Sequence, residues 1–248
     1  MAWLMRFMGV GNSQAAPVLG SASAVLELNG EPKLLIDCGQ ETLTAYLAHY
    51  GRPPEAIFIT HLHMDHIGGL ERLFYTAYFN DALRGRIRLY VPAPLVPAMQ
   101  TRLADYPGVL AEGGANWWDA FQLIPVSAGF WHDGQHFEVF PVRHHLPDSA
   151  FGLRLPGCMV WTGDTRPIPE RLALYEKSGE CIAHDCGLHG NPSHTGLADI
   201  QREYPPKWWP RLLLYHYASE ADAAVMRAQG FAVAEKLQAI ALPEPSDV

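Results

Sequence analysis

The segment His61-Leu62-His63-Met64-Asp65-His66 constrains what this chain can fold into more than any other stretch. It follows the apolar run Ala56-Ile57-Phe58-Ile59-Thr60 directly and is itself followed by Gly68-Gly69. The run reads as a short strand that delivers a cluster of imidazoles and a carboxylate at its end. His61 and His63 alternate on extended chain, so both can face one cavity. Asp65 and His66 can face a neighbouring position as the segment turns into a helix, where the two glycines let backbone pass closely. Imidazole offers a neutral nitrogen, and carboxylate an anionic oxygen, to a borderline ion such as zinc. The bland alternative, histidines with no ligand role, suits a lone residue better than this density of donors.

The rest of the chain supplies elements for a layered α/β fold. Leu4 to Met8 reads as a strand. Ala24 to Leu28 and Lys33 to Asp37 read as a hairpin closed by Asn29-Gly30, which supplies the positive φ angles of a tight turn. Glu41 to Tyr50 reads as a helix ended by Gly51 and Pro53, and another helix starts near Gly69. Further strands are expected at Ile87–Val91, Phe121–Val126, Phe137–Val142, Ala150–Arg154, Met159–Thr162, Cys181–His184 and Leu212–Tyr215. Helices are expected near 169–176 and 219–229, with Phe231 to Ala234 as the last strand and Pro243 to Val248 as a loose tail. Early hairpins with mixed elements later imply a sandwich with helices outside sheets on both flanks. No repeat, heptad pattern or low-complexity tract interrupts residues 1–248, which read as one domain.

Composition narrows the partners. The 248 residues carry 18 Lys+Arg against 26 Asp+Glu, a net −8 that lacks the basic excess of a protein gripping a long nucleic-acid backbone. A local positive patch is still compatible with that total. Cys38, Cys158, Cys181 and Cys186 form no close pair and read as reduced, mostly buried residues. Residues 1–8 look like a strand rather than a signal peptide. No run is apolar enough for a spanning helix, so no membrane partner and, by default, a cytoplasmic location are expected.

The pattern H-x-H-x-D-H-x-G-G resembles the signature of the metallo-β-lactamase superfamily. Val142-Arg143-His144-His145, Trp161-Thr162-Gly163-Asp164-Thr165 and Leu214-Tyr215-His216 stand where that superfamily places its remaining ligands. The resemblance implies a four-layer αββα sandwich and two divalent transition-metal ions, zinc foremost and manganese as an alternative. One ion would take His61, His63 and His144; the other would take Asp65, His66 and His216, with Asp164 bridging. Asp65 counts among the catalytic groups as well. Neighbouring strand residues face opposite ways, so one of His144 and His145 is the ligand. His144 fits the strand-end position better, and His145 would then line the pocket.

Within the superfamily the chain looks most like the branch of ribonuclease Z and related phosphodiesterases. Phe7-Met8-Gly9-Val10-Gly11-Asn12-Ser13, Leu35-Ile36-Asp37-Cys38-Gly39, Phe151-Gly152 and Thr162-Gly163-Asp164-Thr165 carry that likeness. His184-Asp185 and Ser193-His194-Thr195 resemble the branch's His-Glu and His-Ser-Thr segments, with Asp in place of Glu. By that likeness His194 is the general acid and Asp185 its orienting carboxylate. Imidazole titrates near the working pH, and a departing ribose oxygen needs a proton. The alternative is that His194 merely caps a helix beginning near Thr195.

The likeness also implies a homodimer, for which Phe74 to Phe79 offers apolar surface. The chain lacks the long Gly/Pro/basic arm with which ribonuclease Z grips tRNA, which favours a small phosphodiester such as a 3′,5′-cyclic mononucleotide. Tyr75, Tyr78, Phe79, Trp117 and Trp118 are candidates for stacking on a base. The rival readings are tRNA 3′-end cleavage, a hydrolase acting on a lactone, a thioester or a phosphonate-derived cyclic phosphate, and a non-catalytic binding protein.

Overall fold

The computed structural model describes residues 2–104, 109–176 and 179–246. Two seven-stranded sheets stack face to face. In the first, Ala239–Leu242, Trp3–Gly9, Ser23–Leu28 and Glu31–Ile36 pair antiparallel, and Ala56–Phe58, Ile87–Pro92 and Phe121–Val126 continue it in parallel. In the second, Gly129–His132, Gln135–Pro141, Phe151–Leu155 and Met159–Trp161 are antiparallel. Cys181–Asp185, Leu212–Tyr215 and Ala232–Val233 extend that sheet in parallel. The inner faces meet through aromatic rings. Phe7 of the first sheet lies 5.8 Å from Trp161 and 6.2 Å from Tyr215 of the second, and Phe58 stacks on Phe130 at 5.9 Å. Burying each such ring is worth roughly 1.5–3 kcal/mol. The helix Gln40–Tyr50 covers Trp3–Gly9, and Glu220–Ala228 covers Ala232–Val233, so helices flank the two sheets.

Local chemistry explains most element boundaries. Asn29 and Gly30 take φ of 53° and 84°, as the hairpin requires. Gly51 ends its helix in the left-handed region at φ 67°. The strand expected over Ala56–Thr60 stops at Phe58, because the Thr60 amide donates instead to the Asp37 carboxylate at 2.8 Å. The helix expected from Gly69 is Leu70–Tyr78, and a separate helical turn, Met64–Ile67, precedes it. They part where the Gly69 amide turns to the Cys38 carbonyl at 2.9 Å. A Cβ on Gly69 would lie 2.5 Å from the Gly39 carbonyl oxygen, so the glycine is required by close approach.

Other expectations are corrected. Gly129–His132 is a strand that the sequence did not suggest. The helix expected over 169–176 ends at Ala173. The strand near Phe231 is not the last, since Ala239–Leu242 returns to pair with Trp3–Gly9. The tail is docked as far as Ser246, whose amide donates to the Pro156 carbonyl at 2.8 Å; Asp247 and Val248 lie outside the described residues. Phe74 and Trp117 are buried and stacked on each other at 5.6 Å, so neither is available to a base or a partner, whereas Phe79 and Trp118 are exposed. All four cysteines are free, with Cys181 half-buried and the others buried. No helix among the described residues is long and apolar enough to cross a membrane.

Candidate metal centre

The nominated donors all sit just beyond the carboxyl ends of strands, where the two sheets open toward each other. In open α/β sheets such ends gather ligand-binding groups. His61 follows Ala56–Phe58, Asp164 follows Met159–Trp161, and His216 follows Leu212–Tyr215. His216 has φ of 71° and Asp37 φ of 59°, each a strained backbone costing about 1–3 kcal/mol that the surroundings must hold. Hydrogen bonds show what holds them: the His216 amide donates to the Val10 carbonyl at 2.7 Å, and Asp37 accepts from Thr60 and His66.

Two sets of the expected metal donors converge. His61, His63, His144 and Asp164 form one group able to hold an ion, and Asp65, His66 and His216 form another; Asp164 and His216 also converge with Asp185 and His194. In the first, His63 Nδ1 lies 3.1 Å from His61 Nε2 and 3.2 Å from His144 Nε2. Ligands around a tetrahedral zinc, with bonds of about 2.0–2.1 Å, stand about 3.3–3.4 Å apart, so the spacing is that of a coordination shell. Asp164 Oδ2 is 3.6 Å from His61, 3.3 Å from His66 and 3.3 Å from His216, placing it between the groups. His145 stands outside both sets, which leaves His144 as the donor of the pair. Strand alternation is not what separates them, because the strand ends at Pro141 and both rings face His63, with centroids 3.9 Å apart.

Outer hydrogen bonds fix which nitrogen each ring presents. Thr60 Oγ1 donates to Asp37 at 2.7 Å, so it accepts from His61 Nδ1 at 3.0 Å and leaves His61 Nε2 bare. His144 Nδ1 donates to the Ser193 carbonyl at 2.9 Å. His66 Nδ1 donates to Asp37 at 2.8 Å, the carboxylate–histidine arrangement common behind metal ligands. His216 Nδ1 faces Asp185 Oδ1 at 3.3 Å. The opposite nitrogens of His66 and His216, together with Asp164 Oδ1, are buried with no hydrogen-bond partner. Polar atoms buried without a hydrogen bond are costly, and a cation between these nitrogens and the carboxylates resolves the cost. The donor set therefore fits a pair of divalent ions.

The two groups differ in charge. Burial, with neighbouring imidazoles adding to it, holds His61 well below its ordinary value, lowers His63, and brings His144 down to about 4. In the second group burial also opposes charge, but carboxylates outweigh it. Asp164 and Asp37 hold His66 well above its usual value, and Asp164 and Asp185 push His216 up to about 10. Burial likewise opposes the ionised Asp164, yet His216 and His66 keep its carboxyl well below the usual range.

His194 Nδ1 lies 2.9 Å from Asp185 Oδ2, which also accepts the Thr165 amide at 2.8 Å. The His194 ring stacks on His216 with centroids 4.8 Å apart. It caps no helix, because Leu197–Glu203 begins after Gly196, whose amide donates to Asp199. Two cavities open beside the centre. One of about 310 Å³ is lined by Arg143, Arg166, Asn191, His194 and Arg202, and one of about 490 Å³ by Arg143, His145, Leu146, Arg166 and Arg171. Arg143 is paired with Glu170, and Arg202 with Asp199 and Glu203, while Arg166 makes no ion pair among the described residues. Sequence reasoning assigned no site role to Asp37, Thr60 or Ser193. Asp37 was visible only as part of the Leu35–Gly39 motif, Ser193 only as the neighbour of His194 in Ser193-His194-Thr195, and Thr60 only as the end of its apolar run.

Comparison with known proteins agrees with this geometry. A metallo-β-lactamase fold protein, YhfI of Bacillus subtilis, superposes with a TM-score of 0.71 at 13% identity, covering 97% of this chain and all of that one. A diphosphatase of the PhnP family superposes at 0.76 with 18% identity, covering 98% of each chain. The fold is therefore the metallo-β-lactamase sandwich. In sequence, the anti-Pycsar protein Apyc1 of Paenibacillus xerothermodurans is 28% identical over 233 residues, spanning 90% of both chains. The family model of anti-Pycsar protein Apyc1 matches residues 3–240, nearly the whole length, and it is to this family that the chain belongs.

Proposed function

We propose that the protein is a binuclear metal-dependent phosphodiesterase acting on small phosphodiesters, 3′,5′-cyclic mononucleotides first among them, and that residues 1–248 act as one hydrolase domain. The observation that carries the reading is the pairing of two convergent donor groups, bridged by Asp164, with the His194–Asp185 couple beside them. Zinc suits the histidine-rich first group best, and manganese is the alternative for the more carboxylate-rich second. When bound, the ions lower the pKa of water and neutralise charge developing on phosphorus.

The chain's own residues would do the rest. Asp185 holds His194 by Nδ1, leaving Nε2 to give a proton to the departing oxygen. Asp65, with 13% of its side chain exposed, sits at the open side of its group, where it can both ligate and take a proton from water. Cavities of about 310 and 490 Å³ are of the size that small ligands fill. Arg166, whose Nε donates to the Arg143 carbonyl, offers an anionic substrate a cation that has no carboxylate partner among the described residues. The similar proteins, an anti-Pycsar protein and a diphosphatase, sit easily with a compact phosphate-bearing substrate.

The test compares kcat/KM for the common cyclic mononucleotides with that for a precursor tRNA, with Asp164→Ala as the contamination control. The reading predicts efficient cyclic-nucleotide turnover that the control lacks. Site-specific tRNA cleavage without it would overturn the substrate size, and turnover of only a lactone or thioester would overturn the reaction class.

A further inference from the structure

His145 belongs to neither donor group, yet it is tied to one of them. Its Nε2 lies 3.1 Å from Nε2 of His63, and its Nδ1 lies 3.3 Å from the Ser193 hydroxyl oxygen. The His63 ring presents Nδ1 to His61 and His144, so the nitrogen facing His145 is the one turned away from the donor group. A neutral imidazole carries one N–H. If His63 Nδ1 is to be a bare donor, the proton must sit on Nε2, and the atom placed to accept it is His145 Nε2. His145 then carries its own proton on Nδ1 and gives it to Ser193. The three groups form one consistent chain in which each imidazole N–H meets an acceptor.

We propose that His145 is a positioning residue that fixes the tautomer and ring plane of His63, with Ser193 as its anchor. The inference rests on the binuclear reading above and deepens it. Ser193 thereby serves the first donor group twice. Its carbonyl fixes His144 at 2.9 Å and its hydroxyl fixes His145, while the next residue, His194, is the candidate acid. One short loop would hold both the metal-facing rings and the proton donor in register. Outer partners of this kind are worth about 10–100-fold in metal affinity, and His145 is exposed on its loop, so its replacement leaves the core intact.

The experiment is competition of the zinc-loaded protein against a chromophoric chelator, comparing wild type, His145→Ala, His145→Gln and Ser193→Ala. Of two zinc equivalents, one should weaken by about tenfold or more in His145→Ala, and the other should be unchanged. His145→Gln, whose amide oxygen can accept the same proton, should recover most of the loss. Ser193→Ala, which keeps the carbonyl, should weaken the same equivalent by less. A His145→Ala curve that superimposes on wild type would overturn the proposal. Equal weakening in the Ala and Gln variants would also do so, because the hydrogen bond would then not be the cause. Wild-type protein holding fewer than two equivalents would instead contradict the binuclear reading.

Discussion

The two donor groups lie side by side and share Asp164, but they are built on opposite electrostatic plans. Around His61, His63 and His144 the outer partners are a hydroxyl, another imidazole and a backbone carbonyl, and burial keeps the rings neutral. Around His66 and His216 the outer partners are the carboxylates of Asp37 and Asp185, and the rings take up protons where no ion is present. The first group is ready to receive an ion as it stands. The second keeps protons in the places a cation would take, because the field that favours a proton favours a dication more. The difference follows from which strands end nearby: Asp37 and Asp185 terminate strands flanking the second group.

The shared carboxylate gives the largest expected effect. Asp164→Ala removes the anion that faces both groups, so metal content should fall at both positions rather than one. Activity should drop on the order of a hundred- to a thousandfold, since several kcal/mol of charge stabilisation is lost. Elemental analysis alongside His145→Ala checks this, and near-normal metal in Asp164→Ala would break the bridging assignment.

A smaller effect isolates the acid from the metals. His194→Ala should cost about 10²–10⁴-fold on a cyclic nucleotide, whose leaving alkoxide needs a proton. On a bis(nitrophenyl) phosphate, whose leaving phenolate does not, it should cost little. Equal losses on both substrates would place His194 in the metal centre instead, consistent with its position among Asp164, Asp185 and His216.

How far the sequence disclosed this depends on distance along the chain. The donors at 61–66 were legible because they are neighbours, and the hairpin at Asn29-Gly30 because turn chemistry is local. Asp37 and His66 are 29 residues apart, and His144 and Ser193 are 49 apart, so their pairing exists only once both sheets are stacked. The strand Gly129–His132 escaped notice because it sits at a sheet edge with Trp131 exposed and His132 buried, so its burial alternates but its apolar and polar residues do not. Ala239–Leu242 is short and only half-buried, and its identity as a strand comes from pairing with the other end of the chain.

The contrast between a neutral and a protonated donor group is tested most directly by counting protons released as zinc is titrated into metal-free protein. Calorimetry at pH 7, repeated in buffers of different ionisation enthalpy, gives that count for each binding event. The account predicts two events: one releases about two protons, from His66 and His216, and the other almost none, with any water ionised between the ions adding at most about one more. Because the raised value of His216 is about 10, its share of the release should fade as pH rises through that value, where the ring is already bare. Two events releasing equal numbers of protons at pH 7 would contradict the account.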